Sequence, residues 1–222
     1  MLSQADLTSF LEPVLLSIKI SVIASVAVLL LGTSAAWWMT RTRWFGKTVV
    51  ETVFMLPLVL PPTVVGFLLL VALGRRSWLG RLAEGWFDRT IIFTWWAGVI
   101  AAVVVAFPLV YQTMKSGLSS INPDYANAAR SSGASEWQVL RWITLPLAAR
   151  SLVSAYILGF ARGLGEFGAT LMVAGNIPGR TQTVPTAIYV AVESGDMSQA
   201  WSWTAMIVLL SFAMLYIVRS RA

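Results

Sequence analysis

The stretch NPDYANAARSSGASEWQVLRWITLP, residues 122–146, is a polar, capped, helix-forming run set between apolar runs long enough to cross a membrane. Asn122 suits the position that caps a helix amino end, Pro123 the first helical position, and Asp124 the positive end of the helix dipole. A short helix over Tyr125–Ser132 follows, stopped by Gly133, which enters a left-handed conformation without strain. Ser135 and Gln138 then stand at the spacing of a capping box, starting a second helix through Ile143 that Leu145-Pro146 is expected to end. Small Ala126, Ala128 and Ala129 on the first helix, and apolar Trp137, Val139, Leu140 and Trp142 on the second, make a stiff knob. Spacing alone leaves open whether it seats against a partner or is an ordinary helical hairpin.

Outward from the knob the chain is apolar. Of its 222 residues, 57% are hydrophobic and 12% charged, with a mean hydropathy of +0.74. Such values belong to integral membrane proteins. Apolar runs at 14–39, 49–73, 91–111, 147–174 and 201–218 predict five transmembrane helices. Backbone groups in lipid must bond internally, so the expected fold is an all-α bundle forming a single domain, 1–222. There is no room for a separate soluble catalytic domain. The chain has no cysteine and no histidine, which removes disulfides, thiol nucleophiles and the usual zinc, haem and iron–sulfur ligands. No cofactor or metal is expected on this chain. Residues 1–13 carry Asp6 and Glu12 but no basic residue ahead of the first apolar run, so they do not read as a cleaved signal peptide.

Orientation follows from lysine and arginine. Arg41, Arg43, Lys47, Lys115, Arg130, Arg141, Arg150, Arg219 and Arg221 fall on one side of the spans, and Arg75, Arg76, Arg81, Arg89 and Arg180 on the other. The larger set should be cytoplasmic, which puts the N-terminus outside, the C-terminus inside, and the 113–146 loop in the cytoplasm. The basic loop at 74–90 reads as a solvated, headgroup-touching segment with Trp78 and Trp86 as interfacial anchors, in preference to an anion funnel. The net charge of +6 is mostly this topology signal. Lys19, just inside the first span, reads as a snorkelling side chain.

Inside the spans, Pro57, Pro61 and Pro62 each remove a backbone donor and disfavour helix just before them, so the second span should be kinked or broken. Broken helices in transporters put irregular backbone beside a cavity. In the fourth span Gly159 and Gly163 allow close helix approach, and Ser154, Ala155, Ala161 and Ala169 extend the small surface. Gly163–Gly168 also matches G-x-G-x-x-G by accident, since no strand precedes it. Arg162 and Glu166 stand at i and i+4 deep in the same apolar run and should face protein, water or each other. Two roles stay open for them: lining or locking a translocation path, or a structural salt bridge. Beyond Asn176 a polar stretch leads to residues 184–192, too short to span and expected as an interfacial or re-entrant helix on the outer side.

The pattern Ala128-Ala129, Gly133, then Ile143-x-Leu145-Pro146 resembles the EAA loop of permease subunits of bacterial ABC importers. The glutamate of that motif is Asn127 here. The resemblance implies a type I importer permease of the bacterial inner membrane whose loop is a coupling helix. That helix would seat Asn127, Ala128, Ala129, Gly133, Ile143, Leu145 and Pro146 against a separate ATP-binding subunit. This chain lacks the G-x-x-x-x-G-K-[ST] phosphate loop, so ATP would be used by the partner. Leu56–Gly66, Gly74-Arg75-Arg76, Gly163–Thr170 and Asn176–Gly179 resemble the molybdate permease group over nearly the whole chain. Sulfate and thiosulfate permeases share the Gly-Glu-Phe-Gly-Ala element but are usually longer, and tungstate is a tetrahedral dianion like molybdate. The resemblance further implies a second copy of the chain, two ATP-binding subunits and a soluble oxyanion-binding protein that docks on the outer face. Pro57, Pro61, Pro62, Arg162 and Glu166 are the candidate path or gate residues. An ATP-independent transporter or channel is the reading from another class. It is disfavoured by the lack of an inverted hydropathy repeat and by the scarcity of intramembrane carboxylates beyond Glu51 and Glu166. A membrane anchor, a third class, has no need of a proline-broken span.

Overall fold

The computed structural model describes residues 4–87 and 90–219. Among these the helices run in the order α1 (Gln4–Arg41), α2 (Lys47–Val59), α3 (Pro62–Leu73), α4 (Trp78–Phe87), α5 (Trp95–Ser119), α6 (Pro123–Ser131), α7 (Glu136–Val139), α8 (Leu145–Leu147), α9 (Ala149–Leu164), α10 (Gly168–Ala174), α11 (Val184–Glu193) and α12 (Met197–Arg219). A π-helical turn, Leu140–Thr144, joins α7 to α8. Three helices, α1, α5 and α12, are long and apolar enough to cross a membrane. Two bent helix pairs, Lys47–Val59 with Pro62–Leu73 and Glu136–Leu147 with Ala149–Leu164, bring the number to as many as five if each counts as one span. The second pair takes in 136–147 of the knob and is not the expected 147–174 run.

The first bend lies where the prolines predict it. A residue before proline is pushed to an extended conformation, and here two such residues stand in a row. Leu60 has ψ 142° and Pro61 ψ 138°, so α2 stops at Val59, α3 resumes at Pro62, and the axis turns by 115°. Pro57 breaks nothing, since it sits inside α2. The fourth span departs further from expectation. It is not one helix over 147–174: α9 ends at Leu164, residues 165–167 are non-helical, and α10 begins at Gly168. Pro146 does not end the knob's second helix either. The π turn bonds Leu145 N–H to Leu140 C=O, the helical path runs on to Leu147, and the chain turns by 75° at Ala148. The first helix begins ten residues earlier than expected, and α5 lies to the C-terminal side of its predicted run, carrying 113–119 as helix.

The core is a three-helix packing of α1, α5 and α9. Its floor is Val28, Ala36, Met39, Val110, Tyr111, Met114 and Ala155, all essentially inaccessible. Small residues permit the approach, because lipid gives no hydrophobic drive between helices and packing must supply it. A Cβ on Gly159 would stand 3.1 Å from both Val110 and Val28, and one on Gly163 would meet Ala102 and Ser21 at 3.7 Å. A second layer joins α3, α5 and α10 through Val65, Ala97, Ala101, Ala169 and Val173. The third joins α1, α11 and α12, where Ser17 Oγ accepts from Val184 N–H at 2.8 Å and Trp203 Nε1 donates to Phe10 C=O at 3.1 Å. The outer face of α12 presents Val208, Leu209, Phe212 and Leu215, as a lipid-facing helix must.

The two breaks pack on one another. A Cβ on Gly66 would lie 2.8 Å from Ala169 Cα and from Met172 Cβ, and one on Gly168 would lie 3.1 Å from Pro62 Cβ. Gly66→Val should therefore force α3 away from α10, at a cost of roughly 1–3 kcal/mol or more, because the obstacle is backbone that cannot rotate aside. A lowered midpoint of thermal unfolding of the purified protein checks it, and an unchanged midpoint refutes this packing.

Candidate functional site

The knob folds largely as its caps dictate. Asn122 Oδ1 accepts from Asp124 N–H at 2.9 Å, and the Ser135–Gln138 box closes at 2.7 and 3.3 Å. Gly133 adopts φ 86°, and the turn is held by Gly133 N–H to Arg130 C=O at 2.9 Å and Ala134 N–H to Ala129 C=O at 3.0 Å. Asn127, Ala128 and Gly133 are exposed, Ala129 is half-buried, and Ile143, Leu145 and Pro146 fall in the π turn and α8. Tyr125, Trp137 and Trp142 are 58%, 65% and 69% exposed, an apolar surface too large for a solvated hairpin to leave without purpose.

Sequence reading missed the carboxylate that organises this knob. Glu136 receives Arg130 in a two-pronged contact, Nε to Oε1 at 2.6 Å and Nη2 to Oε2 at 3.2 Å, and Arg41 at the end of α1 also pairs with Oε2. Asn127 Oδ1 accepts from Arg130 Nη1 at 2.9 Å. One carboxylate thus ties α6, α7 and α1 together. The Arg130 guanidinium, and then Arg41, hold the Glu136 carboxyl down to about 2. A group whose folded pKa lies below its ordinary 4.5 contributes stability above that value and loses it as pH falls toward 2. Pepsin cleavage of the knob should therefore rise as pH falls through this window, relative to a Glu136→Gln chain, whose cleavage is already high. Equal cleavage of the two chains at pH 4.5 would refute the tie. The effect is modest, because Glu136 is half exposed and screened by solvent.

The path candidates divide. Pro61 and Pro62 lie exposed at the first break, Pro57 faces an apolar cleft with Leu31, Val53 and Phe107, and Arg162 with Glu166 marks the second break. Glu166 is 3% accessible and not on the same helix as Arg162. Its Oε1 accepts from Ala169 N–H at 2.8 Å, capping α10, while Oε2 lies 2.8 Å from Arg162 Nη1. That second contact lacks hydrogen-bond alignment and acts as an ion pair. The i, i+4 spacing brought the pair together through a helix end, not along a helix face. Glu51, the other intramembrane carboxylate, pairs with Lys115 at 2.7 Å and joins α2 to α5. Lys19 lies over the Trp95 ring at 3.8 Å. The 74–90 segment is partly helical, with Arg75 paired to Glu84 at 3.3 Å and Trp78 exposed. Arg89, Arg221 and the Trp86 side chain lie outside the described residues.

Two broken helical stretches packed at their breaks, beside a stiff helical knob, define a helical membrane protein. Residues 19–220 match the family described as binding-protein-dependent transport system inner membrane component, and the chain belongs to that family. It is 53% identical over 219 residues, 99% of this chain and 96% of the relative, to the putative molybdenum transport system permease protein YvgM of Bacillus subtilis (strain 168). It is 43% identical over 183 residues, 82% of this chain and 80% of the relative, to the molybdenum transport system permease protein ModB of Escherichia coli (strain K12). A chain of the MetNI methionine ABC transporter in inward-facing conformations superposes with a TM-score of 0.74 over 99% of both chains at 15% identity, which shows a shared fold. The chain is an inner-membrane transport component with an ABC importer permease fold.

Proposed function

We propose that this chain is the membrane-spanning subunit of an ATP-driven importer of molybdate. Two copies enclose the pathway, with the N-terminus outside and the C-terminus inside. The knob, from Asn122 to Pro146, seats in a groove of a separate ATP-binding subunit, and a soluble oxyanion-binding protein docks on the outer face near α11. The chain does no covalent chemistry; its work is to convert movement of the ATPase pair into alternating access. The observation that carries this reading is the knob itself, where exposed Tyr125, Trp137 and Trp142 surround a turn fixed by Gly133 and anchored to α1 by Glu136. Asn127 is committed to Arg130, so docking rests on shape and apolar contact in place of a carboxylate at that position.

The test is uptake of labelled molybdate by proteoliposomes holding the chain with a cognate ATP-binding subunit and oxyanion-binding protein. ATP-dependent uptake that excess sulfate does not suppress is the expected result. Suppression by sulfate moves the substrate to the sulfate class. Uptake without ATP, or without a co-purifying ATPase, refutes the importer reading in favour of a secondary transporter.

A further inference from the structure

Where α5 leads toward the knob, its outward face turns polar. Gln112 and Ser116 near the end of α5 and Ser120, which caps it, follow one another at i, i+4 and i+8, all exposed. Against this row stand the first two turns of α9, with exposed Arg150 and Ser154 again at i and i+4, and Ser151 between. The two rows bound an open cavity of about 530 Å³, within the range of small-ligand pockets. Gly117 brings them together, since a Cβ there would fall 2.1 Å from Ser151 Oγ. Polar side chains on a spanning helix face water or protein, not lipid.

The donor set has one sign. Arg150 pairs with no carboxylate among the described residues, and no acidic residue lines the cavity. Gln112, Ser116, Ser151 and Ser154 bring hydroxyl and amide donors, and α9 opens without a side-chain cap, so the positive end of its dipole points here too. We propose that this cavity is a transient binding site for the transported tetrahedral dianion at the knob end of the pathway. The proposal rests on the import reading above. Arg150 supplies charge, and the serines and Gln112 supply donors to four oxygens. One cation in an open, wet cavity suits a site that must also release its ion, because conduction needs binding strong enough to enter and weak enough to leave.

The chain has no cysteine, so one introduced thiol is uniquely labelled within it. In the assembled transporter, with its partner subunits free of reactive thiols, Ser120→Cys at the rim should react with a charged methanethiosulfonate reagent. Molybdate should slow that reaction several-fold compared with chloride at equal ionic strength, while an Arg43→Cys reference, exposed between α1 and α2 and away from the cavity, stays unprotected. Uptake at subsaturating molybdate should fall about tenfold in Arg150→Gln and much less in Arg150→Lys, which keeps the charge. Absence of protection, equal protection at Arg43→Cys, or parental uptake in Arg150→Gln overturns the site. If Arg150→Gln fails to assemble, the protection experiment decides alone. Failure of the parent transporter to take up any tetrahedral oxyanion overturns the import reading instead, and this site with it.

Discussion

Glu166→Ala is expected to destabilise the protein by about 3–5 kcal/mol, because removing one member of a buried ion pair strands the other. Two losses coincide. Arg162, whose side chain is 28% accessible, would keep its charge without its anion, and Ala169 N–H would lose the acceptor that caps α10. Glu166→Gln keeps an acceptor and loses only the charge, so it should fall between the parent and the alanine variant. The double change Arg162→Met with Glu166→Gln should recover much of the loss, since an uncharged, packed pair escapes the desolvation penalty. Thermal unfolding midpoints of the purified protein give the order, and equal midpoints for Glu166→Ala and the parent would remove the pair from the architecture. Uptake by Arg162→Gln in an assembled transporter then separates the two roles open to Arg162: parental kinetics assign it to structure, slowed transport to the path.

Gly133→Val should uncouple. A valine Cβ there meets nothing within 4 Å, so the penalty is backbone strain at φ 86°, not a clash. Holding a branched residue in that region costs on the order of 1–3 kcal/mol. The knob escapes by giving up its turn, which moves α6 relative to α7 and misplaces Ala128, Trp137 and Trp142. Uptake should fall at least tenfold, roughly what 1.4 kcal/mol of lost docking produces, while ATP hydrolysis continues. Gly133→Asn should retain most transport, because asparagine tolerates the left-handed region. Tightly coupled uptake and hydrolysis in the valine variant would refute the knob's proposed role.

What was legible in the sequence divides along physical lines. Local signals carried the knob: Asn122, Gly133 and the Ser135–Gln138 box act within four residues of themselves. The first break was equally local, since Leu60 and Pro61 answer only to the prolines that follow them. The second break was hidden. Gly163 reads as a small residue for helix contact and 163–168 as an accidental G-x-G-x-x-G match, and what opens the helix is tertiary: Gly168 against Pro62, Gly66 against Ala169, and Glu166 turning back to cap. Glu136 was hidden for a related reason. Its partners lie six and ninety-five residues away, outside any helical spacing, so no periodicity points to them. The row Gln112, Ser116, Ser120 did leave a signal, polar residues four apart at the end of an apolar run, but that run was read as ending at Tyr111.

The length of α1 has a mechanical consequence. Between Ser17, which holds the start of α11, and Arg41, which holds Glu136, lie twenty-four helical steps, about 36 Å at 1.5 Å each. That exceeds the roughly 30 Å hydrocarbon thickness of a bilayer. The same rigid rod is therefore bolted to the knob at one end and to the α11–α12 hairpin at the other. A tilt of ~10° swings one end past the other by ~6 Å. With bolts at both ends, the rod is a lever between the knob and the α11–α12 hairpin, its single fulcrum the small-residue crossing with α5 and α9.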